Sequence, residues 1–202
     1  MSIKRSLAIL AAPALLLSPA LAQGGADDEI RAIVAAWVAE ESGNDVPAVV
    51  QSFATACFSD LIIALPEEAR ATFLGEDTFV DRMDAIVETH PEFNVSVRVD
   101  FQNCGETVVL GLDAYAWVST TLIDAPVEEV DTMTACYLEA IHPLPSAAKE
   151  FIYNAETFAI GAADLIANQP EEAGDLAERM NTCGWSATVD PDSGSSAEEP
   201  AG

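Results

Sequence analysis

The chain has very little positive charge. Its 202 residues hold 8 lysines and arginines against 34 aspartates and glutamates, a formal net charge of −26, and Lys4 and Lys149 are its only lysines. That scarcity argues against nucleic acid or an anionic lipid surface as a partner, because both recruit cationic side chains. No apolar run is long enough to span a bilayer, so membrane insertion is not expected. Gly-x-Ser-x-Gly, a glycine-rich phosphate loop and His-Glu-x-x-His are all missing, and with them the common signatures of acyl transfer, nucleotide binding and zinc hydrolysis. Cys-x-x-Cys is missing too, which removes the close spacing that redox and metal-binding dithiols need. Asp190-Pro191-Asp192-Ser193-Gly194 begins like a calcium loop but has no glutamate at position twelve. No cofactor and no metal are therefore expected, and the balance leans away from an enzyme.

The ends of the chain carry their own signals. Lys4-Arg5 precedes an apolar stretch, Leu7 to Leu17, and Ala20-Leu21-Ala22 offers a small-residue cleavage site. Residues 1–22 read as a signal peptide, giving a periplasmic or secreted protein that begins near Gln23. Residues 186–202, rich in Ser, Gly, Pro, Asp and Glu, read as a disordered acidic tail.

Between the ends the sequence repeats itself. Thr55-Ala56-Cys57 returns as Thr134-Ala135-Cys136 and Cys104-Gly105 as Cys183-Gly184, both at an offset of 79; Pro66 falls on Pro145 and Thr78-Phe79 on Thr157-Phe158. Upstream the offset is 80, so that Ala36-Trp37-Val38 falls on Ala116-Trp117-Val118. Two units abut without a linker, residues 23–104 and 105–185. Four cysteines allow three pairings; a unit that folded with its own bridge selects Cys57–Cys104 and Cys136–Cys183. The expected fold class is all-α: an internal duplication of two four-helix units of about 80 residues, each with one internal disulfide and packed about a pseudo-twofold axis.

Apolar periodicity places the helices. Ile30, Ile33, Val34, Trp37 and Val38 follow the spacing of one helical face. Asp45 is expected to cap a second helix, with Val50, Phe53, Cys57, Leu61 and Ala64 inward and Pro66 ending or redirecting it. A third helix starts at Thr78. A fourth opens on Thr89-His90-Pro91-Glu92, with Asn168-Gln169-Pro170-Glu171 as its counterpart, read as capping boxes. Val95–Phe101 alternates like a strand, yet its counterpart reads as helix, and a shared fold makes both helical. The segment from Glu106 to Leu122 is apolar nearly all round and is expected to be a central buried helix.

Four residues are candidates for ligand or partner contact. Asp113 interrupts the most apolar helix, where a buried carboxylate would titrate high, a side chain pointing to solvent or capping a polar neighbour being the simpler account. His142 lies in the bend Ile141-His142-Pro143 and has no histidine at its counterpart, Ile63; His90 likewise falls on Gln169 and reads as structural. Arg70 and Lys149 form the one aligned cationic pair, an ion pair with local glutamates (Glu67, Glu150) being the simpler account. The leading functional class is a non-catalytic interaction or binding module with an unknown protein or small-molecule partner, basic proteins and cations included. A carrier of a small apolar ligand between the repeats and an enzyme built on unrepeated polar residues are the alternatives. A large enclosed cavity beside the helix of residues 106–122 would favour the carrier, a cleft gathering histidine and carboxylates the enzyme, and a solid core with an exposed apolar patch the partner-binding module.

Overall fold

A computed structural model of the chain describes residues 19–43 and 45–185. The tail and residues 1–18 of the expected leader lie outside the described residues. Regular structure among the described residues is entirely helical: α1 (Pro19–Ser42), α2 (Ala48–Ile63), α3 (Glu67–Leu74), α4 (Phe79–Thr89), a 3-10 turn (Pro91–Phe93), α5 (Asn94–Thr121), α6 (Val127–Ile141), α7 (Ser146–Tyr153), α8 (Phe158–Asn168), α9 (Pro170–Ala173) and α10 (Leu176–Thr182). Among them no helix is long and apolar enough to cross a membrane.

The helices recur at the offset read from the sequence. Shifted by 79, α3 falls on α7 and α4 on α8 residue for residue. The starting devices recur with them. Pro47, Pro66, Pro126 and Pro145 each precede a helix in an extended conformation, their ring fixing φ where no backbone donor is required. Thr78 and Thr157 cap α4 and α8 by accepting the N–H of Asp81 and Ile160. These matches are consistent with a duplicated helical arrangement.

The units depart from four clean helices in two ways. Pro66 does not merely end α2; with Pro145 it opens a short helix, α3 or α7, that the periodicity did not reveal. The fourth helix of the first unit and the first of the second are also a single helix: α5 runs 28 residues and passes through Cys104-Gly105, the expected junction, without a break. In the second half, Gly174 (φ 53°) separates α9 from α10, and Gly184 (φ 81°) follows α10, positions where a left-handed backbone favours glycine. Three expected caps are corrected. α2 starts after Pro47 with no side-chain cap, so Asp45 does not cap it. Thr89 ends α4 and bonds back to the Ala85 carbonyl instead of capping the next turn, and its counterpart Asn168 ends α8, with no side-chain cap on α9.

Both expected disulfides are present. Cys57–Cys104 ties α2 to α5, and Cys136–Cys183 ties α6 to the end of α10. Two buried apolar clusters flank α5, one built on Ile30, Val34, Phe58, Ile62 and Phe73, the other on Leu110, Tyr137, Ile141, Phe158 and Leu165. The paired aromatics are core, as expected: Trp37 stacks on Phe79 at 4.0 Å, and Trp117 lies 6.0 Å from Phe158. The halves meet where α2 packs on its counterpart α6 and where both pack on α5.

Burial corrects two further expectations. α5 is not buried all round: Leu110, Gly111, Ala114 and Val118 face inward, while Val109 and Leu112 are 44% and 37% exposed. On α2 the fully buried face is Val50, as expected, with Ala54, Phe58 and Ile62; of the rest of the expected stripe, Cys57 and Leu61 are half-buried against the core, Phe53 is half-buried outside it and Ala64 is exposed. The helix is apolar on nearly every side, so periodicity did not distinguish the two faces.

Candidate functional site

The partly buried face of α2 lines a cleft. Phe53, Cys57, Leu61 and Ala64 form one wall of a depression of about 630 Å³, with Val97 and Cys104 of α5 opposite. Exposed carboxylates stand at its rim, Asp60, Asp100 and Glu139, and half-buried Asn103 and His142 lie deeper. Asp60 also pairs with Arg31 at 3.0 Å, an exposed contact of small energetic weight. Because α2 and the first turns of α5 belong to one half and α6 to the other, the cleft lies between the halves.

His142 is the residue that follows α6, where the helix end turns its ring toward the first half. Its edge meets the Phe53 ring at 5.6 Å, and its Nε2 lies 3.9 Å from Cys57 Sγ. Its Nδ1 lies 3.2 Å from the Thr107 hydroxyl. Burial holds the imidazole pKa below its ordinary value, and the nearby Lys149 charge lowers it further, with Asp100 opposing.

Lys149 stands on the other side of Thr107 and is 1% exposed. Its ammonium donates to Thr107 Oγ1 at 2.8 Å, to the Asn103 carbonyl at 3.1 Å and to Asn103 Oδ1. Three donors thus meet three acceptors, all of them neutral. Burial pushes the lysine down to about 8, with Glu106 opposing.

The counterpart in the first half differs. Arg70 is 9% exposed and donates to Asp27 at 2.8 Å. At the offset of 80 that relates α1 to the second part of α5, Asp27 falls on Thr107. The same contact recurs with its carboxylate exchanged for a hydroxyl. Neither cation pairs with the neighbouring glutamates expected for it; each reaches a helix about 40 positions away.

Two of the four sequence candidates, His142 and Lys149, therefore come together, joined through Thr107. Arg70 is engaged in its own half. Asp113 is exposed on α5 and lines a separate depression of about 470 Å³ with Trp117, Tyr153 and Glu156; partial burial there raises its carboxyl above the usual range. It faces solvent, the simpler of its two readings, and is not a core carboxylate. His90 stays local, its Nε2 3.3 Å from the Thr72 hydroxyl and its Nδ1 3.6 Å from Glu92. Asn103 and Thr107 were not singled out from the sequence, and Phe53 was read only as an inward residue of the second helix. The one available signal was that Thr107 replaces Asp27 opposite an aligned cation. Among the described residues no group of three or more His, Cys, Asp or Glu is placed to hold a metal ion. Comparison with family models, with curated proteins and with solved structures gives no match.

Proposed function

We propose that the protein is an exported, non-catalytic binding module that holds a small, mostly apolar ligand in the cleft between its halves. One observation carries the reading: a second apolar face of α2, Phe53, Cys57, Leu61 and Ala64, is only partly covered by the core and lines a cleft of about 630 Å³. That volume falls in the range of small-molecule sites, which pair apolar walls with a few placed polar groups. Two disulfides and a leader-like N-terminus support export to an oxidising compartment.

The cleft also gathers His142 with carboxylates, the arrangement that would favour an enzyme. The groups beside the imidazole favour binding instead. Thr107 is fully buried, and the sulfur facing Nε2 is committed to a disulfide, so neither supplies a nucleophile to a molecule in the cleft. The test is saturation-transfer NMR with four eight-carbon probes: octanamide, methyl octanoate, octanoate and octylammonium. At least one binds saturably to the wild-type chain, and Leu61→Trp, which fills the cleft, abolishes that binding. Failure of all four, or binding that survives Leu61→Trp, overturns the reading.

A further inference from the structure

The polar end of the cleft has a fixed hydrogen-bond polarity. An ammonium is a donor only, so the side-chain atom that Asn103 turns to Lys149 is its oxygen. Lys149 lies outside the cleft while Asn103 lines it. With Oδ1 taken by Lys149, the amide NH2 is the side-chain group of Asn103 left for the cleft, and no hydrogen bond from it is found among the described residues. Thr107 settles the next group. Its single proton goes to the Asn103 carbonyl at 2.8 Å, and its oxygen accepts from Lys149. At the longer 3.2 Å contact the remaining donor is then Nδ1–H of His142. A neutral imidazole protonated at Nδ1 leaves Nε2 as an acceptor, and Nε2 lies on the cleft side, beside Cys57. Burial and the Lys149 charge favour the neutral ring, with Asp100 opposing.

Resting on the binding reading above, we infer that the cleft selects a neutral ligand whose head group carries a hydrogen-bond acceptor beside a donor, as a carboxamide does, on an apolar body. The acceptor takes the Asn103 NH2 and the donor goes to His142 Nε2. Charged heads fit this end poorly. An ammonium would face the Lys149 charge behind Asn103, and a carboxylate would bring its charge past Asp60, Asp100 and Glu139.

The test ranks the same four probes by calorimetry at 0.15 M salt and pH 7.5. Octanamide is expected to bind tightest, about 5-fold or more over methyl octanoate, which can accept but not donate, the difference a single neutral hydrogen bond makes. Asn103→Asp keeps an oxygen for Lys149 and removes the donor; it is expected to fold and to lose the preference for octanamide. His142→Phe is expected to bring octanamide down to the level of the ester. Equal binding of amide and ester, tightest binding of either charged probe, or an unchanged preference in Asn103→Asp overturns the inference while leaving the cleft a binding site. Absence of binding by every probe defeats the broader reading instead.

Discussion

The two halves place similar helices at similar positions and hold them together differently. Arg31, Arg70 and Arg82 of the first half fall on Gly111, Lys149 and Gly161 of the second. Arg82 donates to the Phe73 carbonyl at 2.6 Å, bridging α4 to α3. At the matching place Gly161 has no side chain, and a Cβ there would stand 2.7 Å from the carbonyl oxygen of Ile152, the residue matched to Phe73. Gly111 likewise brings α5 against Leu138, which replaces the buried Ser59 of the first half. The first half spans its helix contacts with guanidinium groups; the second closes them by direct approach. Of these three positions only Lys149 retains a cation, and there the carboxylate is replaced by the Thr107 hydroxyl. The polar groups recruited to replace that carboxylate, Asn103 and Thr107, are the ones that connect to His142 and the cleft.

The largest effects test what the halves share. Each disulfide closes a loop of the same length, and serine replacement of both cysteines in either pair is expected to cost about 4 kcal/mol in urea unfolding. Equal losses are the expected outcome; a much smaller loss for one pair would break the equivalence of the two bridges.

The next effect tests where they differ. Lys149 titrates near 8 folded and near 10.5 unfolded. Below pH 8 both states hold the proton, and the cost of burying the charge is fully felt. Above it the folded state releases the proton first, so the unfolded state binds more and stability rises with pH. The gain is about 2 kcal/mol between pH 7.5 and 9.5. Burial raises Tyr137 above its ordinary value and acts in the opposite sense above pH 10, which sets the upper limit of the useful window. The rise is expected to vanish in Lys149→Met and to persist in Arg70→Met. A flat profile in the wild-type chain would remove the distinction between the two cations.

The smallest effect concerns close approach. Gly161→Ala forces a Cβ onto backbone and is expected to cost about 2 kcal/mol by thermal or urea unfolding. Gly111→Ala meets only the tip of Leu138, at 2.5 Å, which can rotate aside, so about 1 kcal/mol is expected. Equal costs would mean that side-chain adjustment does not separate the two sites.

How much of this was legible in the sequence follows from what punctuates a chain. Cysteines, prolines and capping threonines recur at one offset, and from them the disulfide pairing and the starts of α4 and α8 could be read. The same offset correctly overruled the strand-like alternation of Val95–Phe101, now part of α5. What stayed hidden depends on three-dimensional neighbours. α3 and α7 are eight residues each, too short for a periodic signal. The core-facing side of α2 could not be told from its cleft-facing side because both are apolar. Lys149 and His142 could be listed separately, but their link runs through Thr107, an unremarkable residue in an apolar helix until its place opposite Asp27 is seen.

The central claim is that loss of the Asp27-type partner at Thr107 set the hydrogen-bond polarity of the cleft. Long-range nitrogen–proton NMR of the His142 ring at pH 7.5, assigned against His142→Phe, tests it most directly. The account predicts a neutral imidazole protonated at Nδ1 with a bare Nε2, shifting toward the opposite tautomer in Thr107→Val. A ring protonated at Nε2, or an imidazolium, in the wild-type chain would contradict it.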